Sequence, residues 1–252
     1  MSVASSMQGT LAVFRREIVG YFATPVAYVF IAVFLAMSSV FTFASELGGF
    51  FERGEADLRP FFGFHPWLYL FLVPAISMRL WSEERKSGSI ELLMTLPLAV
   101  WQSVIGKFLA AWAFIAVALA LTFPLWITVS YLGEPDHGVI LAAYFGSLLM
   151  AGGFLALGSC VSALTKNQII AFVLTLVASL LLLLLGFPVV QSVIAGWAPL
   201  GVAETLASLS VLTRFEAISR GVLAPADVLY FVSLIAVLLA ANSILVELLK
   251  AE

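Results

Sequence analysis

Residues 168–187 read QIIAFVLTLVASLLLLLLGF, twenty consecutive positions without a charged side chain. Twenty residues of α-helix rise about 30 Å, which matches the hydrocarbon core of a bilayer. The whole chain has this character, because 62% of its 252 residues are hydrophobic, 11% are charged and the mean hydropathy is +1.10. Soluble domains are only about 45–50% apolar. The sequence therefore predicts an integral membrane protein whose surroundings are the lipid bilayer.

Other apolar runs lie on both sides of this one. Windowed hydropathy predicts spans at residues 23–44, 62–80, 103–132, 139–164, 168–187 and 227–249. The first run is too long for the apolar region of a signal peptide, and no clear cleavage site follows it, so we expect it to be retained. The predicted fold is a single all-α polytopic domain, residues 1–252, with six transmembrane helices.

The distribution of lysine and arginine predicts the orientation, because basic residues near helix ends are retained on the cytoplasmic side. Six spans place both termini on one side. That side would hold eight basic residues and the other side four, which predicts cytoplasmic termini in a bacterial inner membrane. The eight are Arg15, Arg16, Arg79, Arg85, Lys86, Lys107, Lys166 and Lys250, and the four are Arg53, Arg59, Arg214 and Arg220.

Two links outside the spans have recognisable patterns. Residues 1–22 place apolar side chains at helical spacing with charges between them, which predicts an amphipathic helix in the membrane interface. Residues 189–226 are too long for a turn, yet apolar and sparsely charged. They predict an outer-face hairpin of one or two short helices that dip into the outer leaflet without crossing it.

The cytoplasmic link over residues 81–102 concentrates charge in the patch Glu83, Glu84, Arg85 and Lys86. After it, Ser87 or Ser89 could cap a short helix with Ile90, Leu93 and Met94 on one face, ended by Pro97. Such a helix, parallel to the membrane, could dock a soluble partner. The same pattern also suits a link that only anchors its neighbours through snorkelling charges.

Two further groups have competing interpretations. Gly152 and Ala156 form a small-xxx-small pair on the fourth span, which favours close helix packing over a substrate role. Phe64, Trp67 and Phe71 open the second span from its outer side, where an aromatic belt is expected. These aromatic residues could instead line a hydrophobic exit.

Several functions are disfavoured by what the sequence lacks. There is no G-x-x-x-x-G-K-[ST] phosphate loop, so we expect no ATPase site and no bound cofactor in this chain. A net charge of −3 without a basic, aromatic-rich stretch argues against nucleic acid as a partner. The single cysteine, Cys160, excludes an internal disulfide and argues against a metal cluster.

Two alternative functions have less support from the sequence. A gradient-driven carrier or channel normally buries charged residues at membrane depth, and the middles of the predicted spans carry none. An intramembrane serine protease finds a superficial match in Gly158-Ser159. Its serine needs a histidine as base, and His65 and His137 both lie near outer helix ends, where we expect interfacial polar residues.

The sequence resembles the ABC-2 type transporter permeases, and within them the gliding-motility (GldF-like) branch. The resemblance is carried by the run from Trp67 to Lys107 and by the approach to the last span, Phe215 to Phe231. The first includes EERKSGSIELL at residues 83–93, then Pro97 and Gly106-Lys107-Phe108. The second includes SRGV at 219–222 and DVLY at 227–230. Together with the six-span layout, the resemblance covers nearly the whole chain.

The resemblance implies a dimeric exporter, either a homodimer or a pair with a second membrane subunit, that works by alternating access. Each permease would engage a separate cytoplasmic ABC ATPase, which binds ATP and magnesium. Its coupling contacts would be Glu83, Glu84, Arg85, Lys86, Gly88, Glu91 and Lys166. The cargo stays open among lipids, hydrophobic drugs, polysaccharide carriers and a mechanical role.

Overall fold

A computed structural model of the protein describes residues 3–90, 98–197 and 199–248. The regular secondary structure of these residues is helical, which confirms an all-α polytopic membrane protein. The helices are α1 Val3–Phe22, α2 Pro25–Phe43, α3 Phe50–Arg53, α4 Arg59–Gly63, α5 His65–Ser77, α6 Ser82–Ser87, α7 Val100–Ala120, α8 Phe123–Leu132, α9 His137–Leu164, α10 Gln168–Leu184, α11 Pro188–Trp197, α12 Leu200–Ser208, α13 Val211–Ser219 and α14 Pro225–Leu248.

Four segments are long and apolar enough to cross a membrane within the described residues: α2, α7 with α8, α9 and α14. A fifth candidate is α10 taken together with the following residues Pro188–Gly196, which bend away from it by 79°. The second predicted span is shorter than expected, because α5 has 13 residues and rises only about 20 Å. The count of six spans therefore stays a prediction.

The central helix is α9, which packs against α5, α7, α10, α13 and α14. Glycines let these neighbours approach closely. A Cβ at Gly158 would lie 2.5 Å from Ser77 Cβ, and one at Gly146 would lie 2.6 Å from Ile218 Cγ2. The core of the bundle is built around this helix, as expected for membrane helices that pack through small residues.

The N-terminal helix α1 packs along α7. A Cβ at Gly106 would lie 2.8 Å from Val13 Cβ, so the two helices are in close contact there. α1 ends at Phe22, and α2 begins at Pro25, whose ring suits the first turn of a helix. The helical nature of residues 3–22 agrees with the sequence pattern, while their place in a membrane interface stays a prediction.

The predicted hairpin over residues 189–226 contains three short helices, α11 to α13, where the sequence suggested one or two. Proline and small residues break the segment, and α13 buries Phe215 and Ile218 against α9. Arg214 Nη1 donates to Asp227 Oδ1 over 2.6 Å, which joins α13 to the first turn of α14. This segment is therefore tied to the bundle.

Candidate coupling site

The predicted coupling link begins where α5 ends. Helix α6 carries Glu83 and Glu84 in its first turn and Arg85 and Lys86 in its last, an order that suits the helix dipole. Gly88 ends it at φ +74°, a left-handed conformation that favours glycine. Of the predicted site residues, Glu91 lies outside the described residues, as do Leu93, Met94 and Pro97 of the predicted short helix.

The start of α6 is hydrogen-bonded to the far end of α9. The Ser162 hydroxyl accepts from the backbone N–H groups of Trp81 and Ser82, both over 3.1 Å, and donates to the Met78 carbonyl over 2.9 Å. Arg85 Nη1 donates to the Ala163 carbonyl over 2.6 Å. Movement of α6 must therefore move the end of α9 or break these bonds.

Trp81 is fully buried beneath this link and connects it to the last helix. Its Nε1 donates to Ser159 Oγ over 3.2 Å, and Asn242 Nδ2 of α14 donates to the same oxygen over 2.6 Å. Ser159 is thus held by two donors that cannot act as a base. This geometry gives the serine protease alternative no support.

A four-residue ionic cluster joins α1, α6 and α7. It consists of Arg16, Glu17, Glu84 and Lys107. Lys107 Nζ donates to Glu84 Oε1 over 2.9 Å and to Glu17 Oε1 over 3.1 Å. Arg16 Nη2 lies 3.2 Å from Glu84 Oε1 and also pairs with Glu17. Two cations and two anions therefore neutralise one another where three helices meet.

The burial of Lys107 explains why the ionic cluster is needed. Its side chain is only 3% exposed, and a buried ammonium is costly unless it is paired. Its Nζ also lies 5.3 Å from the centroid of the Trp81 ring, within range of a cation–π interaction. Lys107 is thus satisfied by Glu17, Glu84 and Trp81, each from a different segment of the chain.

The cluster shifts the pKa of Glu17. Burial alone opposes ionisation of this carboxyl group, but the Lys107 ammonium and the Arg16 guanidinium outweigh burial and hold the pKa of Glu17 below its ordinary value. For Arg16, burial is likewise outweighed, and the adjacent Glu17 and Glu84 raise the pKa of its guanidinium. Both shifts favour the charged forms of Glu17 and Arg16.

The predicted coupling residues separate into an inward and an outward group. Glu84 and Arg85 point into intramolecular contacts, and Glu84 Oε2 is buried without a hydrogen-bond partner among the described residues. Glu83, Lys86 and Gly88 are exposed on α6. Lys166 is also exposed, at the turn between α9 and α10, two of the helices that α6 contacts. These four exposed residues define what we call the outward face.

The roles of Glu17 and Lys107 in the ionic cluster were not predicted from the sequence. Lys107 was expected to be a basic residue near a helix end and part of the segment that resembles the family. The structure begins α7 at Val100, three residues before the predicted span, which places Lys107 two turns inside the helix. A lysine inside an apolar helix requires an anionic partner, and that requirement was the available signal.

The five predicted pathway or packing residues have different neighbours. Phe64 stacks on Phe41 with ring centroids 5.0 Å apart, and Trp67 meets Phe187 at 6.0 Å. Phe71 is exposed, and Ala156 is fully buried. Gly152 is also buried, where a Cβ would lie 2.9 Å from Ile235 Cδ1 and 3.0 Å from Trp112 Nε1. The structure does not gather these residues into one site.

His65 is fully buried inside the protein, and its predicted depth at the membrane interface stays a prediction. Its Nδ1 lies 2.7 Å from Ser147 Oγ, which also lies 2.8 Å from the Tyr69 hydroxyl. Ser147 therefore gives the buried imidazole a polar partner. Within the described residues, no group of three or more His, Cys, Asp or Glu side chains could hold a metal ion.

A comparison with known protein families gives one match. The sequence model of a family described as "ABC-2 family transporter protein" matches residues 60–248, about three quarters of the chain. The matched region begins in α4 and ends with α14, so it includes α6, the outward face, Lys107 and Glu84. No protein of curated function matches the chain.

Proposed function

The chain belongs to the ABC-2 family of transporter proteins, and we propose that it is the membrane permease of an exporter driven by a separate cytoplasmic ATPase. The observation that carries this proposal is that α6 carries charge both toward the bundle and toward its exposed surface. Lys86 is exposed and forms no ion pair among the described residues, while the partly buried Glu84 and Arg85 bind α1, α7 and α9. That arrangement suits a part that receives force from a partner and passes it to the membrane helices.

The transmission route follows from the contacts of α6. A displacement of α6 acts on α9 through Ser162 and Arg85, and on α1 and α7 through Glu84. Charge-assisted bonds are about twice as strong as neutral ones, so the ionic cluster resists separation. The helices that flank the substrate path, α5 and α10, then move at the same end of the bundle, because α6 follows α5 directly and contacts α10.

The docking site on this proposal is the outward face, together with Glu91. It presents charges of both signs, Glu83 against Lys86 and Lys166, so a complementary patch on the ATPase would also carry both signs. ATP and magnesium bind the ATPase, and this chain supplies no catalytic residue. Substrate passes by alternating access between two copies, or between one copy and a second membrane subunit.

The same proposal sets the orientation. The end of the bundle with α6, Lys107 and Lys166 faces the cytoplasm of a bacterial inner membrane, as the basic residues predict. The end with Arg59, Asp136 and Arg214 faces outward. Membership of the gliding-motility branch stays a prediction, because the family match extends to the ABC-2 family alone.

Purification from the native host tests the proposal. The tagged full-length chain is extracted in mild detergent, and its partners are identified by mass spectrometry. We expect a stoichiometric polypeptide that carries the phosphate loop this chain lacks. A chain that purifies alone under several mild detergents, and that transports substrate without ATP, would overturn the proposal in favour of a gradient-driven carrier or channel.

A further inference from the structure

Two neighbouring cavities lie where α1, α2 and α5 meet. The first has a volume of about 370 Å³ and the second of about 230 Å³. They share three lining residues, Tyr21, Thr24 and Arg79, so the two cavities adjoin each other. We call the first part the polar chamber and the second part the apolar groove.

The two parts differ sharply in polarity. The polar chamber is lined by five charged side chains, whereas the apolar groove away from the shared residues is lined by apolar side chains of α2, α5 and Phe114. The five are Arg16, Glu17, Arg79, Glu83 and Glu84. A charged space that adjoins an apolar one has the polarity profile of a lipid molecule, with its head group and its acyl chain.

The apolar groove runs along two helices. Its α5 wall includes Leu72 and Ile76, with Arg79 just beyond the end of that helix, and its α2 wall extends from Val26 to Val33. Seven residues of helix rise about 10 Å. The α2 wall is open to the surroundings, since Val29 is 60% exposed. An acyl chain can therefore enter this groove through its open α2 wall and lie along it.

The ionic cluster leaves two charges of the polar chamber unmatched. Arg16, Glu17 and Glu84 are paired within it. Arg79 and Glu83 form no ion pair within 4.0 Å with any residue that the structure describes. One is a cation and the other an anion, and both are exposed beside the cavity. An anionic head group would satisfy Arg79 only, whereas a zwitterionic one satisfies both.

We propose that the polar chamber and the apolar groove together bind one zwitterionic phospholipid of the phosphatidylethanolamine type. Its phosphate binds Arg79, its ammonium group binds Glu83, and one acyl chain lies between α2 and α5. The bound lipid would join the α1–α2 junction to α5 directly beside α6. This site goes beyond the proposed function, because it requires neither an ATPase nor a transported substrate, and it shares only Glu83 with the outward face.

A photoactivatable probe tests the site in the intact protein. The full-length chain, with any partners that co-purify, is reconstituted in nanodiscs that contain phosphatidylethanolamine with a diazirine in its acyl chain. After illumination, peptide mass spectrometry locates the adducts. We expect them concentrated on residues 26–33 of α2 and 72–76 of α5. A phosphatidylglycerol probe of equal chain length should label these residues less.

Three variants separate specific binding from general lipid contact. Arg79→Glu should reduce labelling of the groove by about tenfold or more, as expected for the loss of a charged hydrogen bond. Val29→Trp fills the apolar groove without changing any charge, and it should also reduce labelling. It tests the site independently if Arg79→Glu fails to fold. The matched control is Val237→Trp on α14, where the native side chain is 66% exposed; it should leave labelling unchanged.

The charge arrangement has its own test. The double variant Arg79→Glu with Glu83→Arg restores both charges in exchanged positions and should recover part of the lost labelling. Equal labelling by both probes, or labelling that persists in Arg79→Glu and Val29→Trp, would mean ordinary contact with bulk lipid and would overturn the proposal. Loss of the ATPase partner in the docking experiment would leave this result unaffected.

Discussion

The Lys107 ammonium lies 2.9 Å from the Glu84 carboxylate, which joins α6 within the coupling link to α7, the helix that follows the link. Glu84 was expected to face a partner protein. Its side chain instead completes the neutralisation of a buried lysine, together with Glu17 from α1. The charge patch on α6 therefore contributes Glu84 to contacts within the bundle, and only its exposed charges are available for the docking that we propose.

Removal of the buried cation should destabilise the protein. Lys107→Met leaves Glu17 and Glu84 facing each other without their shared ammonium, and loss of one partner of a buried pair costs about 3–5 kcal/mol. Because both carboxylates are partly exposed, we expect the lower end of that range. Thermal unfolding in detergent, followed by tryptophan fluorescence, should show a clear fall in Tm. Arg220→Met, at a highly exposed arginine, is the control and should change Tm little.

Exchange of the charges should restore part of this loss. Glu84→Lys alone places a third cation beside Lys107 and Arg16. It should lower Tm and also the ATPase activity of the proposed complex. Glu84→Lys combined with Lys107→Glu recreates one opposite pair, so its Tm should exceed that of either single variant. Simple additivity of the two single effects would show that these side chains do not interact.

Acid should loosen α1 from α7. The pKa of Glu17 is lowered in the folded protein, so its ionised form stabilises the fold above the unfolded pKa, near 4.5. That contribution is lost as pH falls through the lower, folded pKa. Protease cleavage within residues 3–22, measured between pH 7 and pH 3, should rise below about pH 4.5. Glu17→Gln should remove most of this pH dependence, and an unchanged profile would contradict the account.

Tight packing around α9 predicts opposite effects at two glycines. A Cβ at Gly158 would lie 2.5 Å from Ser77 Cβ and 2.9 Å from Thr175 Cγ2, so Gly158→Ala should destabilise the bundle by about 1–3 kcal/mol. Gly20 in α1 has no atom within 4 Å of the added Cβ. Gly20→Ala should therefore be neutral or raise Tm, because alanine favours helix. Equal effects at both positions would contradict the packing described for α9.

Cysteine labelling tests the proposed orientation. In a Cys160→Ala background, Ser87→Cys lies on the proposed cytoplasmic side and Glu55→Cys on the opposite side. Both native side chains are exposed, so burial does not limit either reaction. An impermeant maleimide should label position 55 in intact cells and position 87 only after lysis. The reverse order would overturn the orientation.

The fold class was predictable because bilayer thickness requires long apolar runs, and those runs are visible in the sequence. Their ends were less predictable. Proline and tertiary contacts decide where a helix stops: the third predicted span breaks at residues 121–122, just before Phe123-Pro124, and α10 ends four residues before Pro188. A hydropathy window cannot resolve such breaks.

The candidate site was predictable only in part. The charge density of residues 83–86 identified α6 as unusual, but it could not separate side chains that face inward from those that face outward. That separation depends on Glu17, which is 90 positions from Lys107 along the chain, and on Ser162 at the far end of α9. Contacts between distant segments arise from packing and leave no local sequence pattern.

ATP hydrolysis by the purified complex shows whether the outward face couples this chain to an ATPase, as we propose. Lys86→Glu changes an exposed charge that the structure assigns to no intramolecular ion pair among the described residues, so the protein should fold normally. We expect this variant to lose the ATPase subunit, or the effect of the permease on its hydrolysis rate, while Arg220→Glu retains both. Full retention of the ATPase and of its rate in Lys86→Glu, Lys166→Glu and their combination would contradict docking at this face.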